Sequence, residues 1–224
     1  MSMARTLLGK PQMINNTRLS VCVPCRDMMH SAFAFNLCKL LEHNSNIGLS
    51  TNVHFNVGTL VVNQRETLVT MAREANASHI LWLDSDMMFS ADTAQKLLRH
   101  GKPLVAANYV TRQYPHKTVA YSDITDWDSY VTPDPERSDK LTAVAAVGMG
   151  CMLTSMSLFD KLEKPYFNTT WVPESNDHLG EDFSFCKKVS ALGYEILIDD
   201  SVSWDLKHLG TIAFTHDMVR PRQA

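Results

Sequence analysis

The stretch His79-Ile80-Leu81-Trp82-Leu83-Asp84-Ser85-Asp86 decides how the rest of the chain is read. A run of strand length, apolar after its first residue, ends in two aspartates one residue apart. Two charges beside apolar packing are costly unless a cation or strong donors compensate them. Residues two apart on a strand point the same way, so Asp84 and Asp86 can share one target if the extended backbone continues. Hard carboxylate oxygens suit Mg²⁺ or Mn²⁺, ions that keep waters and a substrate diphosphate in their remaining positions. The plain alternative is a strand-to-loop junction where aspartates cap the next turn. Spacing alone does not separate the two.

Working outward, strands and helices alternate through the first half. Leu19 to Val23 reads as a strand, and Ser31 to His43 as a helix that packs through Phe35, Leu37, Leu40 and Leu41. Val53 to Val57 is a second strand. Asn63-Gln64-Arg65-Glu66 has the polar cap and the glutamate three residues on that start a helix, whose apolar face is Leu68, Val69, Ala72 and Ala75. His79 to Leu83 is the third strand. Ser90 caps a helix over Ala91 to His100 that Gly101 closes, and Pro103 to Ala107 is a fourth strand. Strands separated by helices imply βαβ units and a parallel sheet. Ligands of such sheets sit beyond the carboxyl ends of the strands, where Asp84, Asp86 and Pro24-Cys25-Arg26-Asp27 all fall.

The second half is less regular. Ser122 to Lys140 is polar and aperiodic and reads as a mobile loop. Leu141 to Val147 and Cys151 to Thr154 read as strands around Gly148-Met149-Gly150. Ser155 caps a short helix over Met156 to Glu163, and Thr169 to Leu179 is a loop carrying Trp171. Glu181 to Leu192 is a helix with Phe185, Cys186, Val189 and Leu192 on one face, ended by Gly193, and Tyr194 to Ile198 is the last strand.

Composition sets broad bounds. The chain has 224 residues, of which 45% are hydrophobic, enough for one sizeable core and a single domain. A net charge of −3 provides no global field toward nucleic acid or acidic membranes. No apolar run approaches the ~20 residues of a membrane span, and Met1 to Lys10 lacks the apolar centre of a signal peptide. Five cysteines, an odd count, read as reduced thiols in a reducing compartment. The expectation is a cytoplasmic protein. Cys22-Val23-Pro24-Cys25 has C-x-x-C spacing without a second pair for zinc.

The order of Pro24-Cys25-Arg26, Asn63-Gln64-Arg65, Leu83-Asp84-Ser85-Asp86, Gly148-Met149-Gly150-Cys151, Gly180-Glu181-Asp182-Phe183 and Lys207-His208-Leu209-Gly210 resembles the GT-A fold nucleotide-sugar glycosyltransferases. The likeness is to the family-2-like members, including those of bacterial-virus type, and covers residues 18 to 212. It implies an α/β fold, a Rossmann-like GT-A single domain with a mostly parallel central sheet flanked by helices. About 18–107 would be the nucleotide-sugar-binding half. About 108–224 would be the acceptor half, with a C-terminal metal-ligand segment. The resemblance further implies Mn²⁺ or Mg²⁺ held by Asp86 and His208, with Asp84 on the ribose or a metal-bound water. Pro24, Arg26, Asn63 and Arg65 would surround the nucleobase and diphosphate, with Ser85 beside them. Asp182 would be the general base, supported by Glu181, and Gly150 would let backbone approach donor or acceptor.

The residues read on their own agree with that chemistry. A leaving nucleoside diphosphate develops charge that a divalent ion stabilises, and a carboxylate within ~3 Å of the acceptor hydroxyl can take its proton. The helix start at Asp182 should favour its ionised form and slightly lower its basicity. Arg112, after the fourth strand, is placed for phosphate or for solvent. Trp171 is a sugar-stacking platform or a cover for the core. His216 rivals His208 as metal ligand.

The reading is a metal-dependent transfer of a sugar from a nucleoside-diphosphate sugar to an acceptor hydroxyl, with inversion the first choice and retention the alternative. Its rivals are a nucleotidyltransferase on the same diaspartate and a binding module without turnover. The acceptor stays open between a small molecule, a protein and a modified nucleobase in DNA, in host cytoplasm if the chain is viral. Arg220 and Arg222, with Lys187 and Lys188, are a candidate phosphate-binding patch or ordinary solvated charge.

Overall fold

The computed structural model describes residues 16–125, 128–134, 138–173 and 176–210. In chain order its elements are β1 (Arg18–Cys25), α1 (Ser31–Asn46), β2 (Ser50–Val57), α2 (Val61–Glu74), β3 (His79–Leu83), β4 (Met87–Met88), α3 (Thr93–Leu98), β5 (Leu104–Ala106), β6 (Ala120–Tyr121), β7 (Leu141–Val144), β8 (Ala146–Val147), β9 (Cys151–Ser155), α4 (Met156–Phe159), β10 (Thr170–Val172), β11 (Asp177–Leu179), α5 (Glu181–Ala191), β12 (Ile196–Asp199), α6 (Asp200–Asp205) and β13 (Lys207–His208).

The run at 79–83 is apolar throughout its length because both sheet faces are covered. Ile80 and Trp82 alternate to one side and pack with Leu68, Val69 and Ala72 of α2. Leu81 and Leu83 point to the other and pack with Phe33, Leu37 and Leu40 of α1. Trp82 is fully buried, and its indole N–H donates to Thr154 Oγ1 at 3.0 Å. Truncating such a ring to alanine costs about 3–5 kcal/mol.

The central sheet has the order β2-β1-β3-β9-β5-β12-β7. Strands β2, β1, β3, β5 and β12 run one way, while β9 and β7 run against them. The mostly parallel α/β sheet that the sequence implies is therefore present. β9 lies between β3 and β5 and runs antiparallel to both, in the same direction as β7.

Several local expectations are corrected. Phe35 is 63% exposed, and Phe33 takes the core position on α1. Helix α2 starts at Val61 after Leu60, so Asn63 is its third residue and caps nothing. Glu66 instead accepts the Phe167 N–H at 2.9 Å. Helix α3 starts at Thr93, and the Ser90 hydroxyl donates to Asp205. Helix α4 ends at Phe159, four residues before the expected Glu163. The segment around Trp171 is a β-hairpin, with Trp171 opposite His178. All five cysteines are free thiols. No helix among the described residues is long and apolar enough to cross a membrane.

Two connections set up the site. β1, β2 and β3 lie in parallel register, so Cys25, Val57 and Leu83 end at one edge. Late in the chain, β13 pairs antiparallel with β4, His208 against Met87, and the Leu209 N–H donates to the Asp86 carbonyl at 2.8 Å. This two-stranded ribbon brings the end of the described chain onto the diaspartate.

Candidate active site

The ribbon puts His208 Nε2 3.5 Å from Asp86 Oδ2. His208 Nδ1 lies 3.0 Å from the Val110 carbonyl. A carbonyl only accepts, so Nδ1 carries the proton, and Nε2 is either a bare lone pair or the second N–H of an imidazolium. A bare Nε2 beside a carboxylate oxygen offers two electron-pair donors to one cation, whereas a protonated Nε2 pairs with Asp86 directly. Arg112 approaches the same oxygen, Nη1 to Asp86 Oδ2 at 3.0 Å, and also donates to the Leu209 carbonyl. Burial pushes the Asp86 carboxyl up, but the hydrogen bond and charge of His208 and the charge of Arg112 outweigh it and hold it below its ordinary value. The Asp86 contact raises His208 in turn.

Asp84 is tied differently. Arg65 is 3% exposed, with Nη2 3.3 Å from Asp84 Oδ1 and Nε 3.5 Å from Glu181 Oε1. Its guanidinium lies 5.9 Å from the centre of the Trp82 ring. One buried cation thus fixes the end of β3 relative to the start of α5. Arg65 Nη1 has no hydrogen-bond partner and is shut off from solvent. Burial raises Asp84, against the lowering charge of Arg65.

Asp84, Asp86, Arg65 and Glu181 border a cavity of about 600 Å³. Pro24, Arg26, Asp84, Ser85, Asp86, Arg65 and Glu181 line it, together with His30, Thr59 and Gln64. Gln64 was not anticipated as a site residue. It is buried, and its amide donates to the carbonyls of Cys25 and Asn56, both at 2.6 Å, fastening the ends of β1 and β2 at the cavity wall.

Asn63 is not brought to the site. It lies on the solvent stripe of α2 with Thr67 and Thr70, opposite Gln64, Arg65 and Leu68. Arg112 does not line the cavity but sits on Asp86. Trp171 is 50% exposed on the β10–β11 hairpin, edge-on to His178 with ring centres 5.0 Å apart. The space beside Gly150 is taken by Tyr109, whose ring would lie 2.7 Å from a Cβ there. His216, Arg220 and Arg222 lie outside the described residues.

Asp182 follows Glu181 at the start of α5 and, among the described residues, accepts the N–H of Phe183 at 2.8 Å. Its carboxyl is pushed up to about 6 by burial and by the Glu181 charge. The sequence argument from the helix start pointed the opposite way. The dipole contributes ~0.3–1 kcal/mol at an exposed helix end, and burial beside two other carboxylates overrides it.

Among the described residues, no three His, Cys, Asp or Glu side chains stand together as a metal cage. The donor set nevertheless suits an ion that takes substrate oxygens for the rest of its sphere. Asp86 Oδ2 and His208 Nε2 converge on one point, Val110 fixes the imidazole from behind as second-shell carbonyls do, and the Arg112 guanidinium stands in as the cation.

No protein-family model matches the chain, and no curated protein sequence does. Among solved structures, A197 from STIV is similar over 89% of this chain and 100% of its own, with a TM-score of 0.55 and 14% identity. A Drosophila β1,4-galactosyltransferase 7, solved with manganese, UDP-Gal and xylobiose, aligns over 93% of this chain and 82% of its own, with a TM-score of 0.47 and 13% identity. S. aureus TarS aligns over 82% of this chain and 58% of its own, with a TM-score of 0.42 and 13% identity. The chain thus shares the α/β fold of A197 from STIV.

Proposed function

We propose that this protein is a divalent-metal-dependent glycosyltransferase that moves a sugar from a nucleoside diphosphate to an acceptor hydroxyl with inversion. The observation that carries the reading is the convergence of Asp86 Oδ2 and His208 Nε2, 3.5 Å apart, with the imidazole fixed through Nδ1. Asp86 and His208 would hold Mn²⁺ or Mg²⁺, and the bound ion would stabilise the charge that develops on the departing diphosphate.

The chain's own residues supply the rest. The cavity wall of Pro24, Arg26 and the Gln64-fastened strand ends receives the nucleoside. Arg65 orients Asp84 and Glu181 at the cavity wall. Arg112 leaves Asp86 for the diphosphate, which a planar guanidinium binds well. Asp182, with its carboxyl near 6, is ionised at neutral pH yet basic enough to take the acceptor proton during attack. The exposed Trp171 hairpin leads directly into Asp182 and presents an apolar face to the acceptor.

The test is a thermal-shift panel of nucleotide sugars with Mn²⁺, followed by turnover assays on those that bind. A ligand at a hundred times its dissociation constant stabilises the fold by about 2.7 kcal/mol. A panel with no shift, and no metal-dependent binding of any nucleoside diphosphate, would remove the reading.

A further inference from the structure

The Arg112 guanidinium is moored on Asp86 by more than one contact. Its Nη1 carries two N–H bonds and has two acceptors, Asp86 Oδ2 at 3.0 Å and the Leu209 carbonyl at 3.2 Å. Leu209 is itself fixed, because its N–H donates to the Asp86 carbonyl at 2.8 Å. Gly210 makes room for the stem: a Cβ there would lie 3.0 Å from Arg112 Cδ, tighter than side chains normally pack. The Arg112 side chain is half-exposed, so the guanidinium can swing into solvent without opening the core.

The same carboxylate oxygen faces His208 Nε2 at 3.5 Å. A divalent ion such as Mg²⁺ sits ~2.1 Å from its oxygen ligands. An ion between Asp86 Oδ2 and His208 Nε2 would meet the guanidinium on that oxygen, and the two cations would repel each other at short range. Ion and guanidinium are therefore rivals for Asp86. An ion pair this exposed is weak, so the rivalry biases the site without blocking it. A diphosphate shifts the balance, because its oxygens offer the displaced guanidinium a forked partner.

We infer that Arg112 is a latch that competes with the metal ion for Asp86 and so couples ion binding to diphosphate binding. This rests on the metal-dependent reading of the site. An ion alone must drive the guanidinium into water. A diphosphate alone must draw it off Asp86 and leave that carboxylate unpaired. Together they supply each displaced group with a new partner. Each ligand then binds better with the other present, by the same factor, over and above any direct contact between them.

The test is Mn²⁺ binding by the full chain, read from the electron paramagnetic resonance of free Mn²⁺. It is run without nucleotide and with saturating nucleoside diphosphate, the parent of the nucleotide sugar that shifts the melt most. Arg112→Gln removes the charge. Its Mn²⁺ affinity without nucleotide should rise about 5-fold, where the strong end of an exposed ion pair meets the low end of coupling between sites. The diphosphate should then tighten Mn²⁺ binding less than in wild type, by a similar factor. Gly210→Ala keeps every charge and crowds the Arg112 stem, and its Mn²⁺ affinity should rise about twofold. In the Asp86→Ala background, Arg112→Gln should change nothing. Equal Mn²⁺ affinity in wild type and Arg112→Gln overturns the latch and leaves the metal site standing. A gain in Arg112→Gln with none in Gly210→Ala also overturns it, since net charge alone would explain the gain. If Mn²⁺ binds neither wild type nor Arg112→Gln, with or without the diphosphate, the metal reading has failed and the latch falls with it.

Discussion

The two carboxylate pairs of this molecule are built from the same groups and held in opposite ways. Asp84 and Asp86 face two guanidinium groups and an imidazole: Arg65 on the first, Arg112 and His208 on the second. Glu181 shares Arg65 with Asp84, and Asp182 has one backbone N–H among the described residues. The outcome is Asp86 below its ordinary value and Asp182 near 6. A carboxylate kept anionic suits the binding of cations; one raised toward neutrality suits the taking of a proton. The difference lies in what each pair is packed against, since both are adjacent or near-adjacent acids at the end of a regular element.

The comparison breaks most visibly at Asp182. Asp182→Asn keeps the shape and removes the basicity, so turnover should fall ~10²–10⁴-fold with nucleotide affinity unchanged within a few-fold. Steady-state kinetics beside calorimetry decide this, and loss of nucleotide binding would move Asp182 to the donor side. The second break is at Arg65, the buried cation common to both pairs. Arg65→Met leaves Asp84 and Glu181 facing each other uncompensated. Removing one partner of a buried pair costs about 3–5 kcal/mol; with Asp84 partly exposed, the lower end is expected. Denaturant unfolding should show that loss, with nucleotide binding weakened as well.

Two smaller effects sharpen the contrast through pH. Because Asp182 must be ionised to act, kcat/KM should rise with pH through about 6 and level above it. A flat profile would put the base elsewhere. The stability sign follows from the same shift. The folded state holds the Asp182 proton to a higher pH than the unfolded chain does, so this group's contribution falls as pH rises from about 4 to about 6. At pH 7 the Asp182→Asn variant should melt higher than wild type by roughly 2–4 °C, the scale of ~1 kcal/mol in a chain of this size.

Much of this was legible in residue order. The run at 79–83 and the strands before it fixed the parallel part of the sheet, and the diaspartate fell at its carboxyl edge. The antiparallel β9 was not legible, because a strand's direction depends on how the chain returns to the sheet. Gln64 and Arg65 carried a signal that went unused. Continuing the stripe of Leu68, Val69 and Ala72 back by three and four positions lands on them, and polar side chains on a buried stripe need partners inside the fold. Asn63 was misread because a capping pattern two residues inside a helix looks the same as one at its start. Arg112 and the partner of Gly150 depend on contacts across 26 or more residues of sequence, which no local pattern encodes. The rise at Asp182 was missed because burial beside Glu181 and Asp84 is a tertiary fact, while the helix start is a local one.

The account stands on Asp86 and His208 forming a metal-assisted diphosphate site, and calorimetry tests that most directly. Nucleoside diphosphate is titrated into wild type and Asp86→Ala, with Mn²⁺ and with chelator. Wild type should bind ~10-fold or more tightly with the ion, the scale of one charge-assisted contact, and Asp86→Ala should show no such gain. Equal affinity of wild type with Mn²⁺ and with chelator would contradict the account.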